Sequence, residues 1–319
     1  MGSNNSRAAP NVDRVQSAAT LSSLDTPLRL RLRALAGVVG ISFSAIFVRL
    51  SGASPSTAAF FRAAYALPIL ALLWLQVRHR DGRSLKARVT AVFAGAILGA
   101  DLAAWHRSIE SIGAGLATVL GNTQVVFVAF AAWWLYRERP RRAAWLALPV
   151  MLIGVVLTSG LGATGAYGSD PLRGVAYGML TAVLYTFFLL VIRSASSGDA
   201  PVVGPWLDAT AGTLLCVWLL GWLDGGLVYA FAWPAHGWLI ALAMVSQVFG
   251  WLLITRSMSR MPAVETSILL LAQPMLTVVW GTLLLDERLS TLQVAGVVLV
   301  VAGIGYLSLG AGATTDSTR

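Results

Sequence analysis

Leu135-Tyr136-Arg137-Glu138-Arg139 closes one long apolar run of this chain, and Leu284-Leu285-Asp286-Glu287-Arg288 closes another. The shift that lays Glu138-Arg139 on Glu287-Arg288 also lays Arg107-Ser108 on Arg256-Ser257, Ala114 on Ala263, Gln124 on Gln273 and Gly154 on Gly303. In a chain rich in Leu and Ala only the polar matches carry weight, and they keep one register across several apolar segments. Five such segments separate the two copies. An odd number reverses direction, so the echo predicts two related halves threaded through a bilayer in opposite senses.

Composition names the same solvent. Apolar residues make up 57% of the 319 positions and charged ones 12%, where a soluble domain carries roughly 25% charged. Mean hydropathy is +0.73. The net charge of +9 is bunched between apolar runs instead of forming a solvated stripe with stacking aromatics, which argues against a nucleic-acid partner. Cys216 is the sole cysteine; it can make neither an intramolecular disulfide nor a cysteine metal cluster and reads as a small buried contact. Neither a GxxxxGK[ST] phosphate loop nor a GxSxG elbow occurs, so no catalytic residue, cofactor or metal is expected.

Apolar segments fall at about 34–50, 58–77, 89–106, 112–135, 143–160, 172–192, 202–222, 237–255, 262–285 and 291–310. Most approach the roughly 20 residues a helix needs to cross the hydrocarbon, and they are far longer than porin strands. The fold class is therefore an all-α polytopic membrane protein, with ten transmembrane helices in two inverted five-helix repeats. Its expected parts are a disordered cytoplasmic tail (1–33), a first repeat (34–160), a second repeat (161–310) and a short cytoplasmic tail (311–319). With an inside amino terminus, only Arg49, Arg62, Arg107, Arg173 and Arg288 of the 23 Lys and Arg lie outside. That bias satisfies the positive-inside rule and puts both termini in the cytoplasm. Gly95-x-x-x-Gly99 reads as a close helix approach.

Polar residues inside the spans are the candidates for a pathway. Asp101 lies about a dozen residues into the third span, where an isolated carboxylate is costly; it reads as a substrate or proton contact, or as a structural interhelical hydrogen bond. Trp105 follows one turn later on nearly the same face and offers an aromatic wall. His106 reads as a residue of the outer interface whose titration makes it a possible coupling group. Thr118 and Asn122 share one face of the fourth span. In the ninth, Gln273, Thr277 and Trp280 share another, suited either to a pathway or to interhelical bonding, and Pro274 is expected to kink that span. Glu265, near the ninth helix's start, is a coupling candidate or an ordinary helix-terminus charge. Trp218, Trp251 and Trp280 read as interior aromatics, while Trp206 reads as part of an interfacial belt. Arg62 and Arg49, near span ends, could each hold a carboxylate but read first as membrane-edge anchors. Glu138 and Glu287 read as residues that cap or gate helices.

The stretch Asp101-Leu102-Ala103-Ala104-Trp105-His106-Arg107-Ser108-Ile109, continuing through Asn122 to Arg137-Glu138-Arg139-Pro140, resembles the EamA family of drug and metabolite transporters. The second copy, with Gln273-Pro274 and Asp286-Glu287-Arg288, carries the same resemblance. It implies a bacterial inner-membrane location and movement of small metabolites, through a central region built by the third, fourth, eighth and ninth helices. Val125 stands where many relatives have proline, so the first copy is expected to bend less than the Pro274 copy. Within the family the chain is similar to YddG-type exporters of aromatic and other neutral amino acids. The expected partners are a small, zwitterionic substrate and membrane lipids, and a monomer is compatible with the sequence. Alternatives are another metabolite, such as a sugar, nucleotide or drug, and an integral membrane enzyme acting on a lipid-linked substrate.

Overall fold

A computed structural model of the chain describes residues 27–136, 142–158, 167–195, 201–258 and 263–312. Among these residues there is no strand. The helices are α1 (Pro27–Ser42), α2 (Ser44–Ser51), α3 (Pro55–Val77), α4 (Leu85–Ile112), α5 (Ala114–Gly121), α6 (Gln124–Tyr136) and α7 (Arg142–Thr158). There follow α8 (Pro171–Ala195), α9 (Val203–Leu223), α10 (Ala235–Ala241), a π-helical segment (Leu242–Gly250), α11 (Trp251–Met258), α12 (Ala263–Leu285) and α13 (Thr291–Gly312). Six helical stretches among the described residues are long and apolar enough to cross a membrane, and shorter apolar helices accompany them.

Local chemistry sets the ends. Gly52 terminates α2 in the left-handed conformation, and Ser54 caps α3 by accepting from the Thr57 N–H while Pro55 occupies a first-turn position that needs no donor. Ser84 caps α4 in the same way through Ala87. At the other end of α4, Gly113 at φ 86° turns the chain directly into α5.

Helices from the two sequence copies interleave. The long α4 lies against α8 and α9, α12 against α5 and α1, and α7 against α13. The α4–α9 crossing depends on missing side chains: a Cβ on Gly95 would stand 1.8 Å from the Ala209 carbonyl oxygen, and one on Gly212 would stand 1.9 Å from that of Val92. Thr213 Oγ1 then reaches the Gly95 carbonyl at 2.9 Å. Small residues bring the backbones close, as in membrane helix pairs generally.

Polar contacts gather the helix ends at two opposite faces. At one, Asp224 after α9 accepts from Ser56 at the start of α3 (2.6 Å) and pairs with Arg107 near the end of α4. At the other, Arg83 holds Asp81 through two bonds (2.8 and 2.9 Å), Trp74 donates to the same carboxylate (2.7 Å), and Arg83 meets Asp208 of α9 at 2.9 Å.

Three local readings change. The first helix begins at Pro27, ahead of the apolar run that starts at 34, and it breaks at Phe43. The Val125 copy is the interrupted one, parting at Asn122–Thr123, whereas α12 runs through Pro274 without interruption. Side chains explain that break. Asn122 Nδ2 bonds the Thr118 carbonyl (2.8 Å) and Thr123 Oγ1 bonds that of Leu120 (2.6 Å), local bonds that compete with the helical ladder.

Candidate functional site

Two interruptions of regular helix flank one charged centre. The break at Phe43 opens α2 with Ser44, the π-helical segment carries Gln247, and between them stands Arg62, two turns into α3. Arg62 Nε donates to Gln247 Oε1 (2.7 Å) and its Nη1 to Ser44 Oγ (3.0 Å). A guanidinium can only donate, so the Gln247 amide oxygen must face it and the NH2 must turn away. The guanidinium carbon also lies 5.9 Å from the Trp105 ring centroid, within cation–π range. The wide turns of a π-helix frequently mark functional sites.

Asp101, on α4, completes the centre. Arg62 is 5% exposed and Asp101 3%, and each lies within electrostatic reach of the other. They do not close an ion pair. Asp101 Oδ1 and Gln247 Nε2 are buried without a hydrogen-bond partner among the described residues. Leaving buried charges incompletely matched costs several kcal/mol, so the arrangement is expensive as mere scaffolding.

Aromatic rings wall the centre. Trp251 stacks on Trp206 with centroids 4.4 Å apart, Phe188 meets Trp251 edge-on at 6.3 Å, and Trp206 Nε1 donates to the Gln247 carbonyl at 2.9 Å. Tyr185 of α8 lies within electrostatic reach of both Asp101 and Arg62. Trp218, read from sequence as interior, is 48% exposed on the outside of the bundle, and Trp206, read as a belt residue, is instead buried. Its indole N–H finds a backbone acceptor inside the bundle, which removes the reason for it to seek the interface.

The sequence candidates divide into groups. Asp101, Trp105 and Trp251 belong to this centre or its wall. Thr277 and Trp280 instead bind the break in the first span: Thr277 Oγ1 reaches the Ser42 carbonyl (3.0 Å), and Trp280 Nε1 reaches Ser42 Oγ (3.0 Å) while its ring stacks on Phe43 at 4.9 Å. Thr118 bonds its own helix at the Ala114 carbonyl, Asn122 bonds Thr118, and the half-buried Gln273 offers its carbonyl to Thr277 (3.0 Å). His106, read as an interface residue, is 1% exposed and donates from Nδ1 to the Pro55 carbonyl (3.1 Å), tucked under the first turn of α3. The side chain of Glu265 lies outside the described residues, as does the segment 137–141 that carries Glu138.

Glu287 caps a helix across the copies. Its Oε1 accepts from the Ala114 N–H (2.6 Å) and its Oε2 from that of Gly115 (3.1 Å), so one buried carboxylate satisfies two first-turn donors of α5. Gly113 makes the approach possible, because a Cβ there would stand 2.7 Å from Oε1.

Gln247 and Ser44 are what sequence reasoning missed, and Arg62, read first as a membrane-edge anchor, is buried instead. Arg62 was placed by its distance from a span end, although a charge two turns inside a helix lies roughly 10 Å from that end. Gln247, a lone amide in the apolar run 237–255, carried a readable signal: a polar side chain in the membrane seeks a partner.

An open cleft of about 400 Å³ is lined by Ala100, Ala103, Ala104, Arg107, Tyr177 and Asp224 with three leucines, and none of the centre's own side chains lines it.

The model of the EamA-like transporter family matches the chain twice, over residues 32–160 and 172–309. A protein of Synechocystis sp. that bears the name of an uncharacterized transporter is 27% identical over 262 residues, covering 77% of each chain. A solved crystal structure superposes with a TM-score of 0.57 at 18% identity, covering 89% of this chain and 97% of the other. At that identity the likeness speaks for the fold alone.

Proposed function

Because the chain belongs to the EamA-like transporter family, we propose that this multi-pass membrane transporter of small metabolites exports aromatic or other neutral amino acids by alternating access. In this reading ten transmembrane helices form two inverted five-helix repeats in a bacterial inner membrane, with both termini in the cytoplasm. The observation that carries it is the buried centre. Arg62 and Asp101 stand in an apolar bundle without closing an ion pair, and Asp101 Oδ1 has no hydrogen-bond partner among the described residues, so a solute bearing both charges would complete them. Two family matches in one chain support a centre that opens to each side in turn.

Purified protein in sealed proteoliposomes, loaded in turn with Trp, Met, Thr and a sugar, gives the test. Amino-acid efflux above that of protein-free vesicles is the expected result. Sugar passage without amino-acid passage would overturn the substrate, and product formation without passage would overturn transport. A pH gradient imposed on the same vesicles separates proton coupling, through Asp101, His106 or Glu265, from facilitated diffusion.

A further inference from the structure

We propose that Arg62, aided by the Gln247 amide, binds the carboxylate of a zwitterionic solute while Asp101 binds its ammonium group. This assignment rests on the carrier reading above and gives that site its chemical selectivity.

Geometry separates the two roles. On one side are donors: the Arg62 guanidinium, oriented by Gln247 Oε1 and Ser44 Oγ, and the Gln247 NH2, buried with no acceptor among the described residues. On the other is an acceptor, the Asp101 Oδ1 atom, buried with no donor among the described residues. A carboxylate needs the first set and an ammonium the second. An anion alone would leave Asp101 unmatched and repel it, a cation alone would do the same to Arg62, and a sugar would leave both charges facing neutral groups. Only a dipolar solute completes both.

The surroundings fit that division. Trp105 lies against the guanidinium and narrows its approach, so the carboxylate must meet the fork from the remaining edge. Trp206, Trp251 and Phe188 pack beside the centre as an apolar cluster, which places few polar demands on a solute's side chain. The site would read the amino-acid backbone closely and the side chain loosely.

Competition against labelled L-Trp counterflow in proteoliposomes of the full chain tests the assignment. The competitors are L-Trp itself, tryptophanamide, which lacks the carboxylate, and indolepropionate, which lacks the ammonium group. In the wild type both analogues should compete at least about tenfold more weakly than L-Trp, the worth of one charge-assisted contact. Arg62→Gln should weaken L-Trp and abolish its advantage over the amide, Arg62→Lys should retain part of that advantage, and Asp101→Asn should abolish the advantage over indolepropionate. Equal competition by all three compounds in the wild type overturns the proposal whether or not the variants fold. So does a well-folded Arg62→Gln protein that still prefers L-Trp to its amide. No passage of any solute would instead overturn the carrier reading itself, and passage of a sugar without Trp, Met or Thr would overturn this assignment while leaving transport intact.

Discussion

At the scale of single residues, burial turns ordinary side chains into determinants. Arg62 and Asp101 owe their significance to the apolar bundle, since the same pair in water would be worth little. Asp81 shows the structural use of the same physics outside the spans. Hydrogen bonds from Arg83 hold its carboxyl below the usual carboxylate range; burial opposes them and the Trp74 indole assists. The folded pKa is below the unfolded one, so this stabilisation is fully present above about pH 4 and is lost as pH falls toward the depressed value. In detergent, thermal unfolding of the wild type should therefore drop below about pH 4. Asp81→Asn should lower stability by about 2 kcal/mol at neutral pH and flatten the acid limb; an unchanged acid limb would show that other carboxylates set it. Asp101 was legible because a carboxylate deep in an apolar run has few innocent explanations. Arg62 was not, because its long side chain could equally reach the interface, and only the position of Gln247 decides between those ends.

At the scale of elements, helices are continuous where their side chains leave the backbone alone and broken where they do not. Proline is the sequence signal for a kink, and α12 carries Pro274 within one continuous helix, while the fourth span, without a proline, parts at Asn122–Thr123. The competing signal was present in those two polar residues, but their bonds to the Thr118 and Leu120 carbonyls are a choice of rotamer that pattern reading does not see. Helix contact was easier to read, since Gly95-x-x-x-Gly99 lies on the face of α4 that meets α9. Gly95→Ala puts a methyl group against the Ala209 backbone, which cannot rotate away, and should cost about 3 kcal/mol. Gly82→Ala, with nothing within 4 Å of the new atom, should be nearly neutral. Thermal stability of the two purified variants checks the contrast, and equal losses would remove close backbone contact as the reason for glycine at position 95.

At the scale of the molecule, a chain with little solvated surface to spare still assembles a charged centre, and it does so by interleaving two copies of one unit. The copies were visible from Glu138-Arg139 and Glu287-Arg288, whose spacing survives in a sequence otherwise dominated by interchangeable apolar residues. The joining of Arg62, Asp101 and Gln247 was not visible, because contacts between helices far apart in sequence leave no periodic trace in a single chain. Alternating access requires that the copies face opposite ways. In a Cys216→Ser background, single cysteines placed by Arg141→Cys and by Arg288→Cys should react with a membrane-impermeant maleimide from opposite sides of sealed, oriented vesicles. Labelling of both from the same side would contradict the inverted arrangement and, with it, the carrier.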